Sequence, residues 1–192
     1  MPNLYDTAYA TGLVIAAPFW LIKSSARKKV GDAWRDRMSR CVPTRVPGRA
    51  VMIHAVSVGE VNVAPALMTA LRQREPALQF IVSTTTATGA ERANQLFGKQ
   101  PNVTLIRFPL DFTGAIARLL DRLQPDVIVL MELEVWPNFI RQCRKRAIPV
   151  VVANGRITGP SFRRYRRASL FTRGMFASLS AAAVQDETYA GM

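Results

Sequence analysis

VIVLMELEVWPN, residues 127–138, is the stretch on which the fold turns. Val127 to Met131 are apolar at every position, with none of the alternation that a strand with one wet face requires. A short aliphatic run of this kind, closed by acids, is a strand covered on both faces. Glu132 and Glu134 then mark a polar loop, and Pro137 suits the first position of a helix, where its missing N–H is not needed.

The same unit of apolar strand, polar loop and amphipathic helix recurs on either side. Strands are expected at Ala50 to Val56, Phe80 to Thr84, Val103 to Phe108, Val150 to Ala153 and Ala181 to Val184. Helices are expected at Val63 to Arg74, Gly89 to Phe97, Thr113 to Leu123, Pro137 to Arg146 and Ser161 to Phe176. Thr88 with Glu91 reads as a capping box, and Asp111 precedes a helical run. Strands that alternate with helices imply an α/β domain built on a doubly wound parallel sheet. Ligands of such sheets bind beyond the carboxyl ends of the strands. Here the loops at those ends read SVGE, STTTATG, PLDF, ELEVWPN, ANGRITGPS and QDE, rich in hydroxyls, amides and carboxylates.

The first of these loops carries Glu60. A dinucleotide fold would have G-x-G-x-x-G here, with backbone amides around a pyrophosphate; one glycine and a carboxylate argue against that class. Two roles remain for Glu60. It can stabilise a helix dipole, by roughly 0.3 to 1 kcal/mol, or act as a general base held by a rigid strand. Of Glu132 and Glu134, one can cap a helix and the other contact substrate. Asn154 and Arg156 follow the fifth strand; Arg156 suits a bidentate anion contact or plain solvent.

Charge narrows the partners. Twenty-six Lys and Arg against 13 Asp and Glu leave a net +13, which favours an anionic partner. Nucleic acid is disfavoured, because no zinc module or interleaved aromatic surface accompanies the RRYRR run at 163–167. With two Cys and one His, ligands for a metal centre are scarce, and none is expected.

Residues 4–22 are mostly apolar, end in Phe19, Trp20, Leu21 and Ile22, and are followed by Lys23, Arg27, Lys28 and Lys29. That pattern suits a membrane anchor with a basic cytoplasmic flank, spanning or interfacial, although Asp6 and Pro18 interrupt it. The alternative is a helix packed on the protein's own core. Residues 24–40, with Val30, Trp34 and Met38 on one face, read as a basic helix, and 42–48 as a linker. The expected division is 1–23 anchor, 24–48 basic helix and linker, and 49–192 main domain.

Taken together, HAVSVGE (54–60), STTTATGAER (83–92), FPLDF (108–112), MELEVWPN (131–138) and IPVVVANGRIT (148–158) resemble the Kdo transferase family. The resemblance implies the acceptor-side, Rossmann-like half of a GT-B glycosyltransferase at the cytoplasmic face of the inner membrane. Such an enzyme moves Kdo from CMP-Kdo to the lipid A precursor lipid IVA with inversion and without a metal or other cofactor. It implies Glu60 as the base and Glu132 as support for the transition state. Ser57, Gly59, Thr85, Thr86, Asn154 and Arg156, in the matching loops, become candidate substrate contacts. Leu133, Val135 and Gly155 stand where the family motifs have threonine, leucine and alanine. The family's cytidine-nucleotide domain has no counterpart in these 192 residues.

Overall fold

A computed structural model of the chain describes residues 3–21, 37–39, 42–45, 47–133, 135–155, 163 and 169–184. The elements are α1 (Leu4–Leu21), β1 (Ala50–His54), α2 (Val58–Arg74), β2 (Gln79–Thr84), α3 (Ala87–Phe97), β3 (Val103–Arg107), α4 (Thr113–Leu123), β4 (Val127–Leu130), α5 (Pro137–Lys145), β5 (Val150–Gly155), α6 (Ser169–Phe176) and β6 (Ala181–Val184). All strand pairings are parallel, and the sheet runs β3-β2-β1-β4-β5-β6. The chain therefore leaves β3 at one edge and returns beside β1, so the order reverses between β1 and β4. That reversal opens the crevice in which doubly wound sheets hold ligands.

Side-chain alternation divides the core into two layers. Ala50 and Met52 of β1, Ile128 and Leu130 of β4, and Val150 and Val152 of β5 pack on one face with Ile116, Leu119 and Leu120 of α4 and Phe139 and Ile140 of α5. Val51, Ile53 and Val129 point the other way, onto Val61, Ala64 and Met68 of α2 and Ala93 and Phe97 of α3. Both faces of the central strands are thus covered. Burying each such aliphatic side chain stabilises the fold by about 1.5–3 kcal/mol, which is why a continuous Val/Ile/Leu run is stable here as strand.

Helix starts are where sequence and structure part. The second helix begins at Val58, not Val63, and runs through Pro65. Glu60 and Ser57 close its first turn, and the buried Val61, Ala64 and Met68 hold the turns around the proline. The N-cap of α3 is Thr86, whose Oγ1 accepts from Gly89 N at 3.0 Å, so Thr88 and Glu91 do not form the expected box. Asp111 caps no helix of its own: α4 starts from Phe112. Its carboxylate reaches across to α5, accepting from Asn138 N (2.9 Å) and Phe139 N (2.8 Å).

The first turn of α1 is tied into this same region. Asp6 Oδ1 accepts from Thr113 N at 2.8 Å and from Asn138 Nδ2 at 3.2 Å, so it satisfies the first turn of α4. Asn3 Nδ2 donates to Asn138 Oδ1 (2.7 Å) and Thr113 Oγ1 (3.0 Å). Burial works against the charged form of Asp6, but the hydrogen bonds from Thr113 and Asn3, aided by Arg141, outweigh it and hold the carboxyl below its ordinary pKa. No helix among the described residues is long and apolar enough to cross a membrane, so the spanning form of anchor is not found there. The segment ahead of β1 also packs on the domain. Val42 is buried in the core, and Arg118 and Arg122 of α4 donate to the carbonyls of Met38 and Val42. Most of the expected basic helix at 24–40 lies outside the described residues.

Candidate functional site

The backbones at the carboxyl ends of four neighbouring strands are bonded to one another. Ala55 N donates to Ser83 O, Met131 N to His54 O, Phe108 N to Thr84 O and Thr86 N to Val56 O. The exits of β1, β2, β3 and β4 are therefore held at one level, on a floor that does not move independently of the sheet.

Beneath that floor lies His54. Its Nδ1 sits 2.8 Å from Ser83 Oγ, and its ring is tilted over Phe108 with centroids 4.1 Å apart. Complete burial pushes its pKa down to about 4, so the imidazole is neutral near pH 7. His54 supports the floor rather than facing the cleft.

Glu60 sits at the β1–α2 turn, 8% exposed. Its Oε2 accepts from Val56 N at 2.9 Å, while Oε1 accepts from Ser57 N (3.1 Å) and from Ser57 Oγ (2.8 Å). This is the side-chain half of an S-x-x-E capping box, with the carboxylate folded back over the turn. The arrangement fixes the carboxylate at the reversal point of the sheet and leaves it lone pairs, since two oxygens offer about four acceptor sites and three are used.

Across the reversal point, the loop after β4 places Glu132 half-exposed. Among the described residues its carboxylate has no hydrogen-bond partner. Glu60 and Glu132 thus leave from adjacent strands, one carboxylate anchored and the other unengaged. Glu134 and Arg156 lie outside the described residues. Asn154 is exposed at the end of β5, in left-handed backbone (φ 61°), beside an irregularity in the β5–β6 pairing. Asn tolerates this conformation better than most residues, and such strained positions concentrate at functional sites.

The other expected contacts differ in how they are held. Thr86, besides capping α3, donates from Oγ1 to Val56 O at 3.2 Å. Among the described residues Thr85 Oγ1 is buried with no partner, while its carbonyl receives two arginines: Arg37 Nη1 at 3.2 Å and Arg107 Nη2 at 3.0 Å. Gly59 is exposed, and a Cβ there would meet nothing nearer than Ser57 Oγ at 3.8 Å. The fold does not demand glycine at that position. Gly89 is different, because a Cβ would stand 2.8 Å from Thr86 Oγ1 and 3.2 Å from Val56 O.

Sequence reading missed Arg37, Arg107, Tyr9 and Trp136. Arg107 left a signal, the one charged residue in the strand expected at Val103 to Phe108. Arg37 and Tyr9 left none, because the contacts that matter span tens of residues. Asp111, which the sequence places in the PLDF loop ahead of a helix, also receives a hydrogen bond from Tyr9 OH at 3.3 Å. Burial pushes Asp111 up to about 7, against the hydrogen bonds from Asn138, Phe139 and Tyr9 and with the help of nearby Asp6. Among the described residues no group of three or more His, Cys, Asp or Glu is placed to hold a metal ion.

A doubly wound parallel sheet with carboxylates at its strand reversal is an α/β architecture of the kind that binds ligands beyond its strand ends. The chain belongs to the 3-deoxy-D-manno-octulosonic-acid transferase (kdotransferase) family of glycosyltransferases, whose model matches residues 32–191. It is 39% identical over 140 residues to the 3-deoxy-D-manno-octulosonic acid transferase of Haemophilus influenzae, covering 73% of this chain and 32% of that protein. The enzyme of the same name from Bordetella pertussis is 32% identical over 161 residues, 78% of this chain and 36% of its own length. That of Chlamydia trachomatis is 27% identical over 188 residues, 97% of this chain and 43% of its own. The chain thus spans less than half the length of these relatives.

Proposed function

We propose that this chain forms the acceptor side of a GT-B enzyme that transfers Kdo from CMP-Kdo to lipid IVA, with Glu60 as the base. The observation that carries the reading is the anchored Glu60 carboxylate at the strand reversal, at the exit of the strand next to the one whose loop bears Glu132. Glu60 would take the proton of an acceptor sugar hydroxyl as its oxygen attacks the anomeric carbon of Kdo. The bond from that carbon to the CMP phosphate breaks, and CMP leaves with the electron pair. Glu132, unengaged among the described residues, would support the charge that develops on the sugar. Rigid placement is what a base needs, because positioning supplies much of the rate in such steps.

Membrane attachment belongs to the same proposal. The net charge of +13 and the apolar first helix suit an interfacial position at the cytoplasmic face of the inner membrane, with basic side chains against anionic headgroups. A second reading has an observation of its own. Glu60 completes a capping box, so it has a structural reason to be there, and the chain can bind acidic lipid without catalysing anything.

The two are separated by incubating the full-length gene product with CMP-Kdo and lipid IVA. Formation of Kdo-lipid IVA with stoichiometric CMP supports the transferase. Retained lipid binding with no CMP release supports the inert reading and rejects the proposed one.

A further inference from the structure

Two loops meet at a single peptide group. Val56 C=O and Ser57 N–H belong to one planar unit, so whatever fixes the oxygen also fixes the direction of the N–H. The oxygen receives Thr86 twice, from its backbone N–H at 3.3 Å and from Oγ1 at 3.2 Å. The N–H donates to Glu60 Oε1 at 3.1 Å. A bonded path thus runs from the loop after β2, through one peptide of the loop after β1, to the carboxylate. Donors on a carbonyl oxygen also polarise its peptide, which strengthens the N–H as a donor in its turn.

The hydroxyl of Thr86 is committed to this path. It has one proton, which goes to Val56 O, and it accepts from Gly89 N at 3.0 Å. The close approach of the loops depends on Gly89, which is buried. A Cβ there would stand 2.8 Å from Thr86 Oγ1, 3.2 Å from Val56 O and 3.6 Å from Ser57 C. Parallel pairing of β1 with β2, with His54 opposite Ser83, brings the two loops out side by side. Val56 N, which donates to Glu60 Oε2 at 2.9 Å, belongs to the preceding peptide and lies outside the path. We propose that Thr86, expected from its motif to contact substrate, is instead a positioning residue: it holds the Val56–Ser57 peptide so that the Ser57 N–H fixes where one oxygen of Glu60 sits. The effect on turnover rests on Glu60 being the base, as proposed above; the bonded path does not.

Amide proton shifts of the chain and kinetics of the full-length gene product test these two parts separately. Thr86→Val keeps the branched shape and loses the hydroxyl; Thr86→Ser keeps the hydroxyl. In Thr86→Val the Ser57 amide proton should move upfield, the direction of a weakened hydrogen bond, and further than that of Val56. In Thr86→Ser both should stay in place. For Kdo transfer from CMP-Kdo to lipid IVA, kcat should fall about tenfold in Thr86→Val, with the acceptor KM within about twofold, and should recover in Thr86→Ser. Asn62→Ala removes the 2.7 Å bond from Arg92 Nε that also joins α2 to α3, and should change neither the Ser57 shift nor kcat. An unmoved Ser57 amide in Thr86→Val, or equal movement of Ser57 and Val56, would overturn the bonded path. An unchanged kcat, a loss confined to KM, or the same loss in Asn62→Ala would overturn the positioning role. Turnover that survives in Glu60→Gln would remove the base, and with it the role in turnover, whatever the amide shifts show.

Discussion

Ser57 gives Glu60 two hydrogen bonds on one oxygen, from its backbone N–H at 3.1 Å and its hydroxyl at 2.8 Å. With Val56 N on the second oxygen, the carboxylate is both the lock of the β1–α2 turn and the group proposed to accept a proton. Stability and activity at this position are therefore coupled.

That coupling sets the first expectation. Glu60→Gln places an amide nitrogen against at least one N–H donor, at a cost of about 1–3 kcal/mol. Ser57→Ala removes one donor and leaves the carboxylate in place, costing about 0.5–1.5 kcal/mol. Urea denaturation of the two variants should rank them in that order. Equal midpoints would mean that the carboxylate does not hold the turn.

The two glycines near this turn should behave oppositely. Gly59→Ala meets no atom closer than ordinary contact and gains helix propensity, so it should stabilise the fold by about 0.5 kcal/mol. Gly89→Ala forces Thr86 Oγ1 or the Val56 carbonyl to move and should cost about 1–3 kcal/mol. If a substrate approaches the exposed face of Gly59, as its place in the family motif implies, Gly59→Ala should also raise KM for the acceptor. Thermal melts and acceptor titration read the two effects separately.

Asn138 joins three helices, receiving Asn3 on Oδ1 and donating from Nδ2 to Asp6 and to Asp111 O. Asn138→Ala removes these three bonds, leaves Asn3 Nδ2 and Asp6 Oδ1 with Thr113 as their remaining partner, and should cost about 1–3 kcal/mol. Hydrogen exchange should speed up in residues 3–12 more than in β1. Uniform acceleration across the chain would show that Asn138 does not specifically hold α1.

Two buried groups give opposing pH dependences. Asp111 has a folded pKa of about 7, above its ordinary 3.8, so its contribution to stability is complete below about pH 4 and is lost as pH rises through 7. His54 has a folded pKa of about 4, below 6.5, so its contribution is present above pH 6.5 and is lost as pH falls through 4. Between pH 4 and 6.5 the slopes oppose. Asp111→Asn should expose the His54 slope, with urea midpoints that climb with pH through that window. A profile parallel to the unsubstituted protein would remove Asp111 from the account.

Much of the fold is legible because its signals are local. The run at 127–131 names a doubly covered strand, and the expected and observed spans of α4 and β6 coincide. The capping box at Ser57 and Glu60 was also present in the sequence as S-x-x-E, but Pro65 disguised the helix start. Asp6 and Asp111 were not legible. Asp6 reads as a flaw in an apolar run, yet its partner Thr113 lies 107 residues away. Asp111 reads as the cap of the next helix, yet it serves the first turn of α5. Short polar side chains that satisfy distant helix termini leave no periodic trace. For the same reason Glu60 and Glu132 could be named from their loops, but not their difference, one anchored and the other unengaged among the described residues.

Kdo transfer by the full-length gene product carrying Glu60→Gln tests the central claim most directly, measured as Kdo-lipid IVA formed from CMP-Kdo at a temperature where the variant remains folded by circular dichroism. The account requires a loss of at least a hundredfold in kcat, with Ser57→Ala retaining most of its activity. Near-normal turnover in a folded Glu60→Gln variant would contradict it, leaving Glu60 as the lock of a turn and no more.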